Sequence, residues 1–573
     1  MAHPSSLCTR TGEVLLLLGL ALAATACQVP PSASETTREA PPTQIVYAMY
    51  QEPEQLNPLL ASQTVAGEVR SLVVEGVLGL DPEGRNYPEL ATVVPSVENG
   101  GVSADGLTLR YALRDDVRWS DGVPFTCDDL YFTYAAAVDP DSGAVRRTGW
   151  DRIASVTCTD DFNVTIQFAE FYAPFLGLFY AVLPRHATGD PAEMTQWAYN
   201  RQPLGTGPFR LVEWVSGDHI LLASNPHYRD YPARPRVDQV VVRIVPSREV
   251  GKALLRSREI HILRDLTEGD TPEFADLAGV QVHGRPSPRT ERLLLNLADP
   301  TLRATADPQH HPHPLLGDVR VRRALELAID KQFIVDHLLH GATEVAASEI
   351  GLGWAACDIA PAAYDPVQAR TLLTEAGFID GDGDGVRECA GCAHAAAGAP
   401  LRLKIQTTSG NRLREDTQVL LAEMLAEVGV ELYIENVPSA VLFGSWSSEA
   451  FRKYGNFDIL MYTTTDGIDP HRQMASYFHS TSIPTEANGG IGNNYSRWIN
   501  PAADAALDVA GSTPDVETRI AAYQEVCRLI DAELPHIYLY ERGDLHGALA
   551  DVAGFQVNPW GPETWNAEEW TRN

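Results

Sequence analysis

Three short signatures that would announce an enzyme are missing from the 573 residues: there is no HExxH, no GxSxG and no GxxxxGK(S/T). A zinc peptidase, a nucleophile-elbow hydrolase and a phosphate-loop ATPase therefore lack their usual marks. The nearest approach to an elbow, Gly444-Ser-Trp-Ser-Ser448, has Trp446 at the nucleophile position and no second glycine. Paired carboxylates leave no trace in a sequence, so a secreted hydrolase acting on peptides or glycans stays open as a competing class. Basic residues are scarce too: 44 Lys and Arg face 76 Asp and Glu, a formal net charge of −32. Nucleic acid is excluded as a partner, because each phosphate contact needs a cation. An anionic lipid surface repels such a chain, so membrane attachment has to be covalent or hydrophobic. Long apolar runs are limited to Val14–Ala24, shorter than the roughly 20 residues a spanning helix needs. What is present is a large chain, 44% hydrophobic, with 10 Trp and 20 Tyr, enough for two to four folded domains.

The apolar run is followed by Thr25-Ala26-Cys27, which makes it the core of an export signal. Small residues leading into Cys27 resemble the bacterial lipoprotein box, so residues 1–27 are expected to form a lipoprotein signal with Cys27 acylated. The alternative is a plain cleaved signal with an incidental cysteine. Residues 28–43, rich in Pro, Ser and Thr, cannot bury enough surface to fold and read as a flexible tether. Of the eight cysteines, Cys8 and Cys27 belong to this leader, leaving six in an oxidising compartment and 15 possible full connectivities. Cys389 and Cys392 form a CxxC without a second pair, with His394 the one extra donor nearby, so a disulfide is expected there and not zinc.

Strands and helices alternate along the rest, which points to α/β domains. Ile45–Tyr50, Leu107–Leu113, Asn163–Phe168 and Val237–Val245 read as strands; Ala66–Gly79, Asp128–Val138, Val319–Leu339, Pro366–Ala376, Arg412–Val428 and Glu517–Leu534 read as helices. Short strands are expected at Arg402–Gln406, Glu431–Val437, Asp458–Tyr462 and Pro535–Tyr540. Asp380, Asp382 and Asp384 alternate ahead of Gly385 as in a calcium loop, yet the twelfth position is Gly391, so the bidentate carboxylate is missing. We take this as an acidic turn, with the three aspartates as weak metal candidates. His310, His311 and His313 are read as a surface loop. No resident cofactor is expected.

Four blocks identify the chain by resemblance. Leu107 to Gly122 (LTLRYALRDDVRWSDG), followed by Pro124-Phe-Thr-Cys-Asp128-Asp129, resembles the hallmark segment of the family 5 extracellular solute-binding proteins. Gly205-Thr-Gly-Pro-Phe-Arg-Leu211 with Asn225-Pro226-His-Tyr228, Asp318 to Leu325 with Ala328-Ile-Asp330, and Tyr364 to Leu373 with Glu375-Ala-Gly-Phe378 resemble the family's next three, in the right order. The resemblance implies an α/β, bilobal periplasmic-binding-protein-like fold, its two lobes joined by a two-crossover hinge near Arg292 and Leu539. Lobe I would comprise 44–62, 201–290 and 536–573, an inserted small domain 63–200, and lobe II 291–535. Cys127 and Cys158, both in the insertion, are then the expected pair.

The resemblance also implies a non-catalytic receptor. It would capture a peptide between the lobes and deliver it to the permease and ATPase subunits of an ABC transporter, as a monomer lipid-anchored on the outer face of the cytoplasmic membrane. Oligosaccharides and nickel chelates are alternative ligands. In peptide-binding members an Asp four residues before a Pro pairs with the ligand's α-amino group, and Asp466 stands four before Pro470. Asp469 is weighed more as a helix cap. Tyr462, Thr464, Thr465 and Gly467 are placed to meet the peptide backbone. Arg412, Arg414 and Arg497 are candidates for a ligand carboxylate, and Trp446 and Trp498 could stack on a ligand.

Overall fold

The computed structural model describes residues 42–573 apart from 146, 303–306, 308 and 466. The expected signal, Cys27, residues 28–41 of the expected tether, and Asp466 lie outside the described residues. At the far end of the segment expected as a tether, the Thr43 amide and hydroxyl both donate to Asp238, at 2.7 and 2.8 Å. Among the described residues no helix is long and apolar enough to cross a membrane.

Ten strands form one mixed sheet: β1 (Gln44–Met49), β2 (Phe209–Val215), β3 (His219–Ser224), β4 (Gln239–Ile244), β5 (Ile262–Leu266), β6 (Val280–Leu295), β7 (Arg402–Gln406), β8 (Glu431–Ile434), β9 (Ile459–Thr465) and β10 (His536–Leu549). Their order across the sheet is β8-β7-β9-β6-β10-β5-β1-β4-β3-β2. β1 runs parallel to β4 and β5, and β7 parallel to β8 and β9. The short strands carry the expected alternation; in β4 Val240 and Val242 point into the core while their neighbours are half exposed.

β6 and β10 are longer, 16 and 14 residues, and lie antiparallel through both halves of the sheet. Val280–Pro286 pair with Gly543–Leu549, and Thr290–Leu294 with His536–Glu541; the register breaks between Pro286 and Thr290. Pro286 and Pro288 have no N–H to give a ladder, which accounts for a break there. Arg292 and Leu539, expected at the crossovers, both sit on the second-lobe side of this break.

Four hydrophobic clusters are found among the described residues, the smallest holding Leu294, Leu460 and Tyr462 against Leu442, Phe457 and Tyr495. Of the larger ones, the first joins β1, β3, β4 and β5 to Leu545, Ala548, Phe555 and Trp570. The second joins Leu293 and Leu295 to the helices Val319–Leu327, Arg412–Ala426 and Val516–Glu533, and takes in Ile537–Tyr540 of β10. The third lies within residues 59–199, around Trp119, Phe125 and Phe179. The helix Thr64–Ser71 falls inside the expected insertion, yet its Val65, Ala66 and Val69 belong to the first cluster.

The helix expected over Val319–Leu339 is two, Val319–Leu327 and Lys331–Leu338. Asp330 makes the break: its carboxylate accepts from the Phe333 amide at 2.9 Å and caps the second helix. Disulfides join Cys127 to Cys158, Cys389 to Cys392 and Cys357 to Cys527. The first two are the expected pairs.

Candidate ligand-binding cleft

The C-terminal ends of β1 and β5 open at the register break, as ligand crevices do in α/β sheets. A cavity of about 930 Å³ lies there, within the range of small-molecule sites. Tyr50 and Gln51 follow β1 into its wall, Arg264 and Asp265 come from an irregular stretch of β5, and Pro288, Arg289 and Asp544 come from the crossover strands. Thr465 closes it from the second lobe, and Trp560 to Glu563 from the C-terminal segment.

This wall is charged with both signs. Arg264 Nε donates to the fully buried Glu68 at 3.1 Å, and the same guanidinium contacts Asp265; Arg289 pairs with Asp544. Burial pushes the Glu68 carboxyl up to about 7 against the pull of Arg264, and Asp544 up to about 6 against Arg289. Asp265 has φ +61, a left-handed conformation that is strained for a residue with a Cβ. Tyr50 and Arg248 hold it by donating to its carbonyl at 3.3 and 3.2 Å, leaving its carboxylate half exposed. Such a wall can pair with a ligand carrying both a cationic and an anionic group.

The residues singled out from sequence divide by the strand period. Thr465 faces the cavity, and Gly467 beyond it is exposed. Tyr462 and Thr464 point the other way and are buried, their hydroxyls without a hydrogen bond among the described residues. Burial holds the Tyr462 phenol well above its usual range, and Phe443 meets its ring edge-on at 5.6 Å.

Arg414 donates to both oxygens of Glu291, at 3.0 and 3.1 Å, and to Thr463 at 2.7 Å. Arg412 is an exposed helix residue paired with Asp416 four positions on. Arg497, 1% exposed and at φ +57, donates to the carbonyls of Tyr495 and Lys453. Trp446 stacks on Tyr454 at 4.1 Å, and Trp498 is a core residue donating to Glu533. Asp469 accepts from the His471 amide at the start of a helix and from Arg519 at 2.8 Å. Of the side chains named from sequence, the cavity wall takes in Thr465.

The acidic turn gains a member that the spacing argument missed: Glu388 brings a fourth carboxylate oxygen within 4.8 Å of those of Asp380, Asp382 and Asp384. Loop amides already donate to Asp380 and Glu388, so a network of turns accounts for the grouping. His313 is buried, bound to Asp458 at 3.0 Å and accepting from the Leu315 and Leu316 amides, and is not part of a surface histidine group. Arg264, Asp265, Arg289, Asp544 and Trp560 went unnoticed because they stand at strand ends and in a loop without a motif.

A family model described as bacterial extracellular solute-binding proteins, family 5 Middle, matches residues 86–485. Protein XP55 of Streptomyces lividans is 27% identical over 537 residues, 93% of this chain and 90% of its own length. The oligopeptide-binding protein AppA of Bacillus subtilis is 25% identical over 574 residues, with 97% of both chains covered. Among solved structures, NikZ of Campylobacter jejuni in complex with Ni(L-His) superposes with a TM-score of 0.65 at 25% identity, covering 93% of this chain and all of that one.

Proposed function

Because the chain belongs to the bacterial extracellular solute-binding proteins of family 5, we propose that it captures a peptide in the cleft at the hinge and passes it to the permease of an ABC transporter. The observation that carries this reading is the cavity of about 930 Å³ whose wall supplies both Asp265 and Arg289. A peptide brings an ammonium and a carboxylate, and charge-assisted hydrogen bonds to such groups are about twice as strong as neutral ones. Asp466, between Thr465 and Gly467, is the proposed partner of the ammonium. The bodies around the first two clusters act as the closing lobes, without catalysis, and ATP is consumed by separate subunits. Acylated Cys27 and the tether hold a monomeric body at the outer face of the membrane; Cys27→Ala should then release the protein from membranes to the soluble fraction.

A nickel chelate is the second reading, supported by the likeness to NikZ. Native mass spectrometry after incubation with a peptide pool, and separately with nickel–histidine, decides between them. Intact bound peptides support the first reading, and retention of nickel–histidine alone supports the second. Turnover of the pool overturns both in favour of a hydrolase.

A further inference from the structure

We propose that Trp560 is a positioning residue for closure, the seat on which the second lobe lands; this rests on reading the cleft as a capture site. The half-buried indole walls the cavity on one side. On its others it lies between two glycine backbones. A Cβ placed on Gly84 would stand 3.1 Å from the indole Nε1 and 2.7 Å from Ile468 Cδ1, and one on Gly353 would stand 2.9 Å from the indole Cζ2. Gly84 belongs to the turn after Leu80, whereas Gly353 and Ile468 come from the second lobe. Gly84 and Gly353 therefore meet at one side chain, and Ile468 of the second lobe reaches the same point by packing on Gly84. Both glycines have positive φ, 76° and 86°, so a side chain at either would be strained by backbone as well as crowded.

Each side of this contact is braced by its own hydrogen bonds. Asn558 accepts from the Trp560 amide at 3.0 Å and donates to the Leu80 carbonyl at 2.9 Å; its own amide donates to Glu563 at 3.1 Å. The Glu563 amide in turn donates to the buried Glu68 at 2.9 Å. On the opposite side Trp354 Nε1 donates to the Ile468 carbonyl at 2.8 Å, fixing the segment that arrives. Little side-chain freedom is left to lose on contact.

A contact made only when the lobes meet raises the closed fraction without touching ligand, and apparent affinity scales with that fraction. Weakening the seat should therefore loosen every ligand by one common factor. A change in a ligand subsite would alter ligands unequally.

The test uses the full chain with Ile468→Ala, Trp560→Ala, Trp560→Phe and the double variant Ile468→Ala/Trp560→Ala. Trp565→Phe, whose indole donates to the Gln556 carbonyl, serves as the control. Circular dichroism confirms folding, small-angle scattering reads the radius of gyration without ligand, and release rates are measured for peptides of a tryptic casein digest. We expect Ile468→Ala to enlarge the ligand-free radius and to speed release about tenfold for all peptides alike. The double variant should be no worse than Trp560→Ala, and Trp565→Phe should match wild type. Unchanged radii and rates overturn the seat, and so do factors that differ strongly between peptides, which would make Trp560 a ligand contact instead. If wild type binds nothing in the digest, the peptide reading fails while the ligand-free radii still decide the seat.

Discussion

Glu291 is fully buried, and its carboxylate is held by Arg414 and by the Thr463 hydroxyl at 2.6 Å. Removing the guanidinium would strand that charge, so Arg414→Ala should lower unfolding stability by about 3–5 kcal/mol in urea titrations. Arg412→Ala, on the exposed pair with Asp416, should stay within about 0.5 kcal/mol. The two arginines lie two positions apart in one helix and were indistinguishable in sequence, because burial depends on what the third dimension brings alongside. Asp466 makes a different forecast. Asp466→Asn keeps shape but leaves a buried ammonium unpaired, so calorimetry should find a free peptide bound two to three decades more weakly, at a penalty of about 3–5 kcal/mol, and an N-acetylated one unchanged. Equal binding of the free peptide removes the anchor. Glu541 titrates within the fold: burial, reinforced by Glu349 and Glu344, pushes its carboxyl up to about 7 despite the hydrogen bond from Thr290. Between the ordinary 4.5 and about 7 the folded chain holds a proton that the unfolded chain has released. Stability therefore falls as pH rises through that window, by up to about 3 kcal/mol, and levels off above it. Glu541→Gln should keep the Thr290 bond and lose this slope, being more stable than wild type at pH 8 and nearly equal at pH 4.

At the scale of elements, the cross-links bear unequally on the fold. Cys357–Cys527 ties the segment after Gly353 to the long helix Val516–Glu533 across 170 residues, and Cys127–Cys158 spans 31. Chain entropy alone assigns about 5 and about 4 kcal/mol to these, and far less to Cys389–Cys392 with its separation of 3. Replacing each pair by serines should lower the urea midpoint in that order. Local elements were legible where a pattern is self-contained: the helix Pro366–Glu375 begins at a proline behind the capping Asp365 and ends one residue before Ala376. The break at Asp330 was not, since an apolar period runs on through it and the cap becomes visible only with its partner amide. Nor was the full reach of β10, expected as Pro535–Tyr540 but continuing to Leu549 because β5 offers it a second partner. The four family blocks made the architecture legible, whereas the cavity wall is assembled from residues as distant as Tyr50, Arg289 and Asp544.

At the scale of the whole molecule, β10 lies at the centre of the sheet, bonded to β6 along its length and to β5 through Leu545–Ala548 near its C-terminal end. Ending the chain at Pro535 would remove a central strand from both halves at once. Circular dichroism and proteolysis should then show neither half folded, and survival of a protease-resistant second lobe would refute this dependence. The same arrangement governs the order of events while the polypeptide is being made. β1 emerges early, but 487 residues separate Met49 from His536, the first residue of the strand that completes the sheet. At about 5–20 residues per second a ribosome needs roughly 25–100 s to bridge that gap. Throughout that interval the nascent chain has an unfinished sheet, and its stable fold is deferred until the last central strand has been made.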